Sequence, residues 1–306
     1  MGLLSEQIMN ALLLGCTYTL VAIGFSLFFG VVDVVVFCGG DIAIFGSFAV
    51  LIFYKLFTAT GLTTFLPYWL FILLIVICGM ILGAIFGKVV HLVSIKPFER
   101  ASELMPLLST IAFGIFIREL IGLFYPQGRN PQVFPDMLPK GCIKGNYLLS
   151  YKNLFIIGIT FIIIAVLFII VNKTKLGLSM QSLAQNKEVA AMIGVNTPLI
   201  ISVTFIIGGT ILAIGGFLIG SYYNIVRFDM GSMYGLMGYS AAVVGGLGNI
   251  YGAIVGGMLL AFAETFMTAY IPGGTAYAKV FSFLIVILFM IFKSEGIIGQ
   301  KTIEKV

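Results

Sequence analysis

Long, unbroken apolar runs limit this chain more than any other feature. Eight are clear: Ile8–Phe29, Ile42–Phe57, Tyr68–Lys88, Leu104–Phe124, Leu154–Val171, Leu199–Tyr222, Tyr251–Tyr270 and Val280–Phe292. A ninth, Ser232–Leu247, is short and glycine-rich. A helix of about 20 apolar residues crosses the hydrocarbon core of a bilayer. In lipid only helices and closed barrels satisfy their own backbone groups, and barrel strands would alternate over about 10 residues. The runs here do not alternate. Composition agrees: 60% of residues are hydrophobic and 9% charged, whereas soluble domains carry about 25% charged residues. The 17 basic and 12 acidic side chains cannot cover 306 residues with a polar surface. A soluble enzyme, a nucleic-acid binder and a disordered scaffold are thereby excluded. The expected fold is an all-α integral membrane bundle of eight or nine transmembrane helices, one domain over residues 1–306, with one or two broken or re-entrant segments.

Only Glu6 and Gln7 immediately precede the first run, and no cleavage site follows it, so it reads as a retained helix. Cys16, Cys38, Cys78 and Cys142 form no C-x-x-C, and His91 is the single histidine, so no metal site is expected. His91 itself is expected at the aqueous end of a helix. All the prolines sit at or near segment ends, where a missing backbone donor does least harm. Glycines instead fill segment interiors. Gly79, Gly83 and Gly87 repeat every four residues, as do Gly248, Gly252 and Gly256, a spacing that lets two helix backbones approach closely. Basic residues in alternate loops divide nine to seven. The larger group (Lys88, Lys96, Arg100, Lys173, Lys175, Lys187, Lys293, Lys301, Lys305) marks the cytoplasmic side. With nine crossings the amino end then lies outside; with eight it lies inside. The loop 126–152 falls on the extracytoplasmic side.

Two segments look broken. In Gly30–Ser47, Asp33 and Asp41 flank an apolar patch that Gly39 and Gly40 interrupt. A charge at the bilayer centre costs at least about 2.5 kcal/mol, and freed backbone must face protein or water. Arg227–Gly252 is the second, with recurrent glycines and an apolar run too short for an ordinary span. Broken helices in two halves of a chain point to a translocation path. Candidate path residues are therefore Asp33, Gly39, Gly40, Asp41 and the mid-span Glu264, which reads equally as a path residue or as a structural hydrogen-bonding group. Arg118 is expected to snorkel to the interface.

The longest polar insertion on the proposed inner side is residues 173–198. It holds one short helix: Asn186 caps its start, Glu188 lies in the positive first turn, and Gly194 takes the left-handed position after its end. Val189, Met192 and Ile193 share a face, while Ala190 and Ala191 keep part of the surface thin. A rod about 10 Å long is marginal alone in water and must dock on something.

The stretch Ala184–Asn196 resembles the Glu-Ala-Ala…Gly coupling loop of ABC importer permeases. Glu188, Ala190, Ala191 and Gly194 match it, and Val189 stands where many permeases have the first alanine. Nearly the whole chain resembles the permease subunits for branched-chain amino acids, through LLLGCTYTLVAIGFSLFFGVVDVVVFCGGDIAIFGS, MGYSAAVVGGLGNIYGAIVGGMLLAFAE and FKSEGIIGQ. Relatives usually read Asn-Phe-Ala-His-Gly-Glu where this chain has Val36–Asp41, a departure within a suspected path element. The resemblance implies an ABC importer transmembrane-domain fold in a bacterial or archaeal cytoplasmic membrane. It implies ATPase coupling through Gln185, Asn186, Glu188, Ala190, Ala191 and Gly194. It also implies a second permease subunit (sister or identical), two cytoplasmic ATP-binding subunits and an extracytoplasmic binding protein. The chain has no phosphate-binding G-x-x-x-x-G-K-[ST] loop, so ATP and magnesium belong on the partner subunits and no cofactor or nucleic acid is expected on this one. Branched-chain or other hydrophobic amino acids are the expected solutes, with urea or short amides as the alternative within the family. An ion-coupled secondary transporter using Asp41 and Glu264 is the alternative from another class, and it has no use for the coupling segment.

Overall fold

The computed structural model describes residues 2–61, 67–98, 101–102, 104–137, 141, 150–271, 273–293 and 296–299. Cys142 and most of the expected loop 126–152 beyond residue 137 lie outside them. The helices are α1 (Gly2–Val32), α2 (Gly39–Ala59), α3 (Tyr68–Val90), α4 (Leu104–Phe124), α5 (Tyr151–Lys173), α6 (Lys175–Gln185), α7 (Lys187–Met192), α8 (Thr197–Tyr223), α9 (Met230–Gly245), α10 (Ile250–Tyr270) and α11 (Gly274–Phe292). Two residues form each of the short strands β1 (Gln132–Val133) and β2 (Ile225–Val226).

Among the described residues, seven helices are long and apolar enough to cross a membrane: α1 to α5, α8 and α10. The short α9 and α11 complete the bundle. Lys187 Nζ donates to the Val32 carbonyl at 2.6 Å, so α1 ends beside α7. Antiparallel β1 and β2, with Gln132 opposite Val226, bring the ends of α4 and α8 together at the other end. Past α9 the chain returns to the α7 end, where Gly248 packs on Gly30. Thus α1, α3, α5, α9 and α11 run toward α7 and the others run away. Among the described residues, these helices, with the short α9 and α11 counted, place the amino end opposite α7.

α1 is the central post, packed on α8, α9 and α10. Of its most apolar window 89% is buried, against 17% for the peripheral α5. Lipid tails are as apolar as leucine, so helices associate here through close packing rather than through the hydrophobic effect. The α3–α8 contact shows how. A Cβ on Gly87 would overlap the Phe205 carbonyl, and one on Gly83 would press on Gly209. Gly252 and Gly256 let α10 lie against Gly245 and Ala241 of α9 in the same way. Gly248 does not belong to that repeat. It has φ +83° in the α9–α10 turn, so its four-residue spacing from Gly252 marks a corner and not a shared helix face.

Two expectations change at α3. The helix does not stop at Lys88 but continues through a π-helical turn (His91–Ile95) and a 3₁₀ turn (Lys96–Phe98). His91 is therefore not at an aqueous end. It is 2% exposed, with its ring 5.5 Å from that of Phe205. Beyond α11 the chain folds back on the end of α9: Ile297 and Ile298 donate backbone hydrogen bonds to the carbonyls of Val244 and Gly245, both at 2.9 Å. Asn249 Nδ2 donates to the Ile298 carbonyl at 2.8 Å.

Candidate functional site

At one end of the bundle, residues 173–198 form two helices where the sequence pointed to one. The hydroxyl of Thr174 accepts from the Gly177 amide and starts α6, whose Met180 and Leu183 are buried. Asn186 then starts α7, its Oδ1 accepting from the amides of Glu188 (3.0 Å) and Val189 (3.2 Å). At the far end the Gly194 amide donates to the Ala191 carbonyl and the Val195 amide to the Ala190 carbonyl. With Gly194 at φ +88° this is a Schellman motif, which satisfies carbonyls that a helix end leaves bare. Asn196 caps the next helix, accepting from Leu199.

The helix α7 shows two different faces. Ala190 is buried, whereas Val189, Met192 and Ile193 are 51%, 82% and 68% exposed. Gln185, Glu188 and Ala191 are exposed as well. On the bundle side Lys187 binds the last carbonyl of α1 and lies 3.5 Å from Asp33. A cavity of about 490 Å³ opens between α7 and the bundle, lined among others by Asp33, Ile95, Phe98, Pro106, Lys187 and Glu188. Asp33 is thus no charge deep in lipid. It is exposed at the end of α1, in the left-handed region with φ +58°.

The break in the first segment is residues 33–38, which link the α7 end to the start of α2. Gly39 and Gly40 are not the interruption but the first residues of α2. Gly40 lies so close to α9 that a Cβ there would overlap the Gly231 carbonyl and the Gly235 backbone. Asp41 follows, 5% exposed, at the positive start of α2 and beside Gly231 in the first turn of α9. Arg118 of α4 meets it: Nη2 is 3.2 Å from Oδ1 and 3.3 Å from Oδ2, and Nε is 3.3 Å from Oδ1. Arg118 does not snorkel to the interface. Its neighbour Glu119 pairs elsewhere, with Arg129 at 3.2 Å.

Glu264 of α10 sits apart from that pair. Its Oε2 accepts from the Tyr18 hydroxyl of α1 at 2.8 Å. Gly231 and Gly235 face α2, while Tyr234 on the adjacent face of α9 meets Tyr18, the ring centres 6.4 Å apart. The structure therefore brings Gly40 and Asp41 together around α9, and it places Asp33 with the α7 residues instead. Sequence reasoning missed Lys187, Arg118, Tyr18 and Tyr234. A lysine in the first turn of a helix opposes the helix dipole, and that signal could have marked Lys187 as serving something outside α7. Arg118 and Asp41 are 77 positions apart, and nothing local announces their pairing.

The family described as "Branched-chain amino acid transport system / permease component" matches residues 7–290. The high-affinity branched-chain amino acid transport system permease protein BraD of Pseudomonas aeruginosa is 30% identical, over 98% of this chain and 97% of its own length. LivH, the permease protein of the same description, is 29% identical in Salmonella typhimurium and 28% in Escherichia coli K12, with the same coverage. No solved structure matches the chain. A multi-pass helical bundle with short glycine-lined helices meeting at its centre, matched by this family over nearly its whole length, belongs to the branched-chain amino acid transport system permease components.

Proposed function

We propose that the chain is one of two permease subunits of an ATP-driven importer that carries branched-chain or other hydrophobic amino acids across a bacterial or archaeal cytoplasmic membrane by alternating access. One observation carries this reading. α7 is capped at both ends, stands outside the bundle, and offers an apolar face to a partner while Lys187 binds it to the end of α1. Cytoplasmic ATPases docked on Gln185, Asn186, Glu188, Ala191 and Gly194 would move α7 as a rigid body, whereas Ala190, expected on the same docking face, is turned inward and seats α7 on the bundle. Through Lys187 that movement reaches α1, the break at 33–38 and the first turn of α2. Work therefore arrives from outside the chain and is spent on the relative position of helices, a shift between pre-existing states. A second permease and an extracytoplasmic binding protein complete the system, with residues 126–152 on the binding-protein side. The names of the relatives support branched-chain amino acids as the solute. Asp41 is neutralised by Arg118, which argues against its use as an ion site in a gradient-driven transporter.

The test uses the complete transporter in proteoliposomes. Glu188→Arg and Gly194→Trp are each expected to lose ATPase association in pull-downs, or to lose vanadate-sensitive leucine uptake by about tenfold or more. Normal ATP-driven uptake in both variants would overturn the assignment.

A further inference from the structure

Among the described residues two carboxylates, Asp41 and Glu264, are buried in the bundle, and the protein treats them differently. Asp41 has a guanidinium at 3.2 Å. Glu264 is 8% exposed and has no cation within ion-pair distance among the described residues; the charge of Lys279, exposed on α11, acts on it only from further away. Intramembrane acids otherwise pair with one another, with cations or with polar groups, and mark solute or ion routes. The Tyr18 hydroxyl satisfies Oε2, and no described side chain donates to Oε1.

Tyrosines surround this acid on three helices. Tyr18 of α1 and Tyr234 of α9 have ring centres 6.4 Å apart. Tyr234 and Tyr223 of α8 are 6.0 Å apart, and Tyr222 stands edge-on to Tyr223 at 4.8 Å. Exposure rises along the row, from 2% at Tyr18 through 8% at Tyr234 to 39% at Tyr223. Tyr223 is the last residue of α8, at the end opposite α7. The row thus leads from that end to the middle of the bundle, where the carboxylate waits. Ring faces carry negative potential and attract cations, most strongly where water is excluded.

We infer that Glu264, with Tyr18, Tyr223 and Tyr234, forms a binding site for the primary ammonium group of the transported solute. Glu264 supplies the countercharge, Tyr18 holds its carboxylate in place, and the tyrosine faces guide the ammonium inward from the end opposite α7. The site deepens the importer reading and rests on it. It distinguishes an amine-bearing solute from an acid or a neutral amide of the same shape.

Two measurements on the assembled transporter in nanodiscs test the site. In the first, Glu264 is modified with dicyclohexylcarbodiimide and the product is followed by peptide mass spectrometry. Millimolar 3-methylbutylamine is expected to slow the modification about threefold or more, and 4-methylpentanoate is not. Tyr234→Leu, which keeps the Tyr18–Glu264 bond, is expected to abolish the protection. Equal protection by both compounds, protection by neither, or full protection in Tyr234→Leu would overturn the site. In the second, Glu264→Gln is expected to lower leucine uptake about tenfold while ATP hydrolysis stays within about twofold, and Glu264→Asp is expected to restore most of the uptake. A loss of uptake that only tracks the loss of assembled complex would mean that the residue merely ties α1 to α10. The amine-protection measurement does not depend on ATP. Absent uptake in the unmodified complex would therefore count against the importer reading, and failed protection against the site.

Discussion

Arg118 and Asp41 show what one side chain can cost when it is removed. The Asp41 side chain is 6% exposed and that of Arg118 23%. Breaking a buried pair from one side strands a charge, at about 3–5 kcal/mol. Arg118→Ala is expected to lower stability by about that amount in denaturant titrations of the purified protein. The double change Asp41→Asn with Arg118→Gln removes both charges and should recover most of the loss. A loss in Arg118→Ala no larger than that of Arg129→Ala, whose partner Glu119 is half-exposed, would show that water reaches the pair and screens it. Nothing in the sequence next to either residue points to the other. Asp41 is legible as a misplaced charge, but its remedy lies on a different helix.

Among the elements, α7 is the one that local chemistry specifies most fully. An asparagine that accepts from two amides and a glycine at positive φ set its limits, so its start, its end and its faces can be read from nine residues. Asn186→Ala is expected to cost about 0.5–2 kcal/mol of local helix stability, and Gly194→Ala about 1–2 kcal/mol because an L side chain resists the left-handed region. The readout is hydrogen exchange at amides 188–193, which should speed up about tenfold with the melting of the bundle unchanged. Unchanged exchange would mean that contacts, not caps, hold α7. The transmembrane helices were legible through their apolar length, though not their ends. α3 runs on past Lys88 because His91 and Ser94 are buried despite their polarity. α6 escaped notice because Gly177, Ser179 and Ser182 make it look like a loop, while its apolar side is used only in contact with the bundle. The strand pair joining 132–133 to 225–226 depends on two distant loops meeting, and no local pattern encodes it.

For the whole molecule the described passes fix which segments share an end of the bundle. Arg129 and α7 lie at opposite ends, so a cysteine at 129 in a cysteine-free background should react with a membrane-impermeant maleimide on intact cells. One at 186 should react only after permeabilisation, and the reverse pattern would invert the fold in the membrane. Long-range placement of this kind was legible only as a nine-to-seven division of basic residues, because loop charge biases orientation without fixing the number of passes. The fold-back after α11 carries a consequence for anyone who shortens or extends this protein. Ile297 and Ile298 hold the last two carbonyls of α9, and the same helix begins against Gly40 and Asp41. Cutting the chain after Lys293 would strip those carbonyls of their donors and loosen, from the α7 end, the helix whose other tip stands at the heart of the membrane domain.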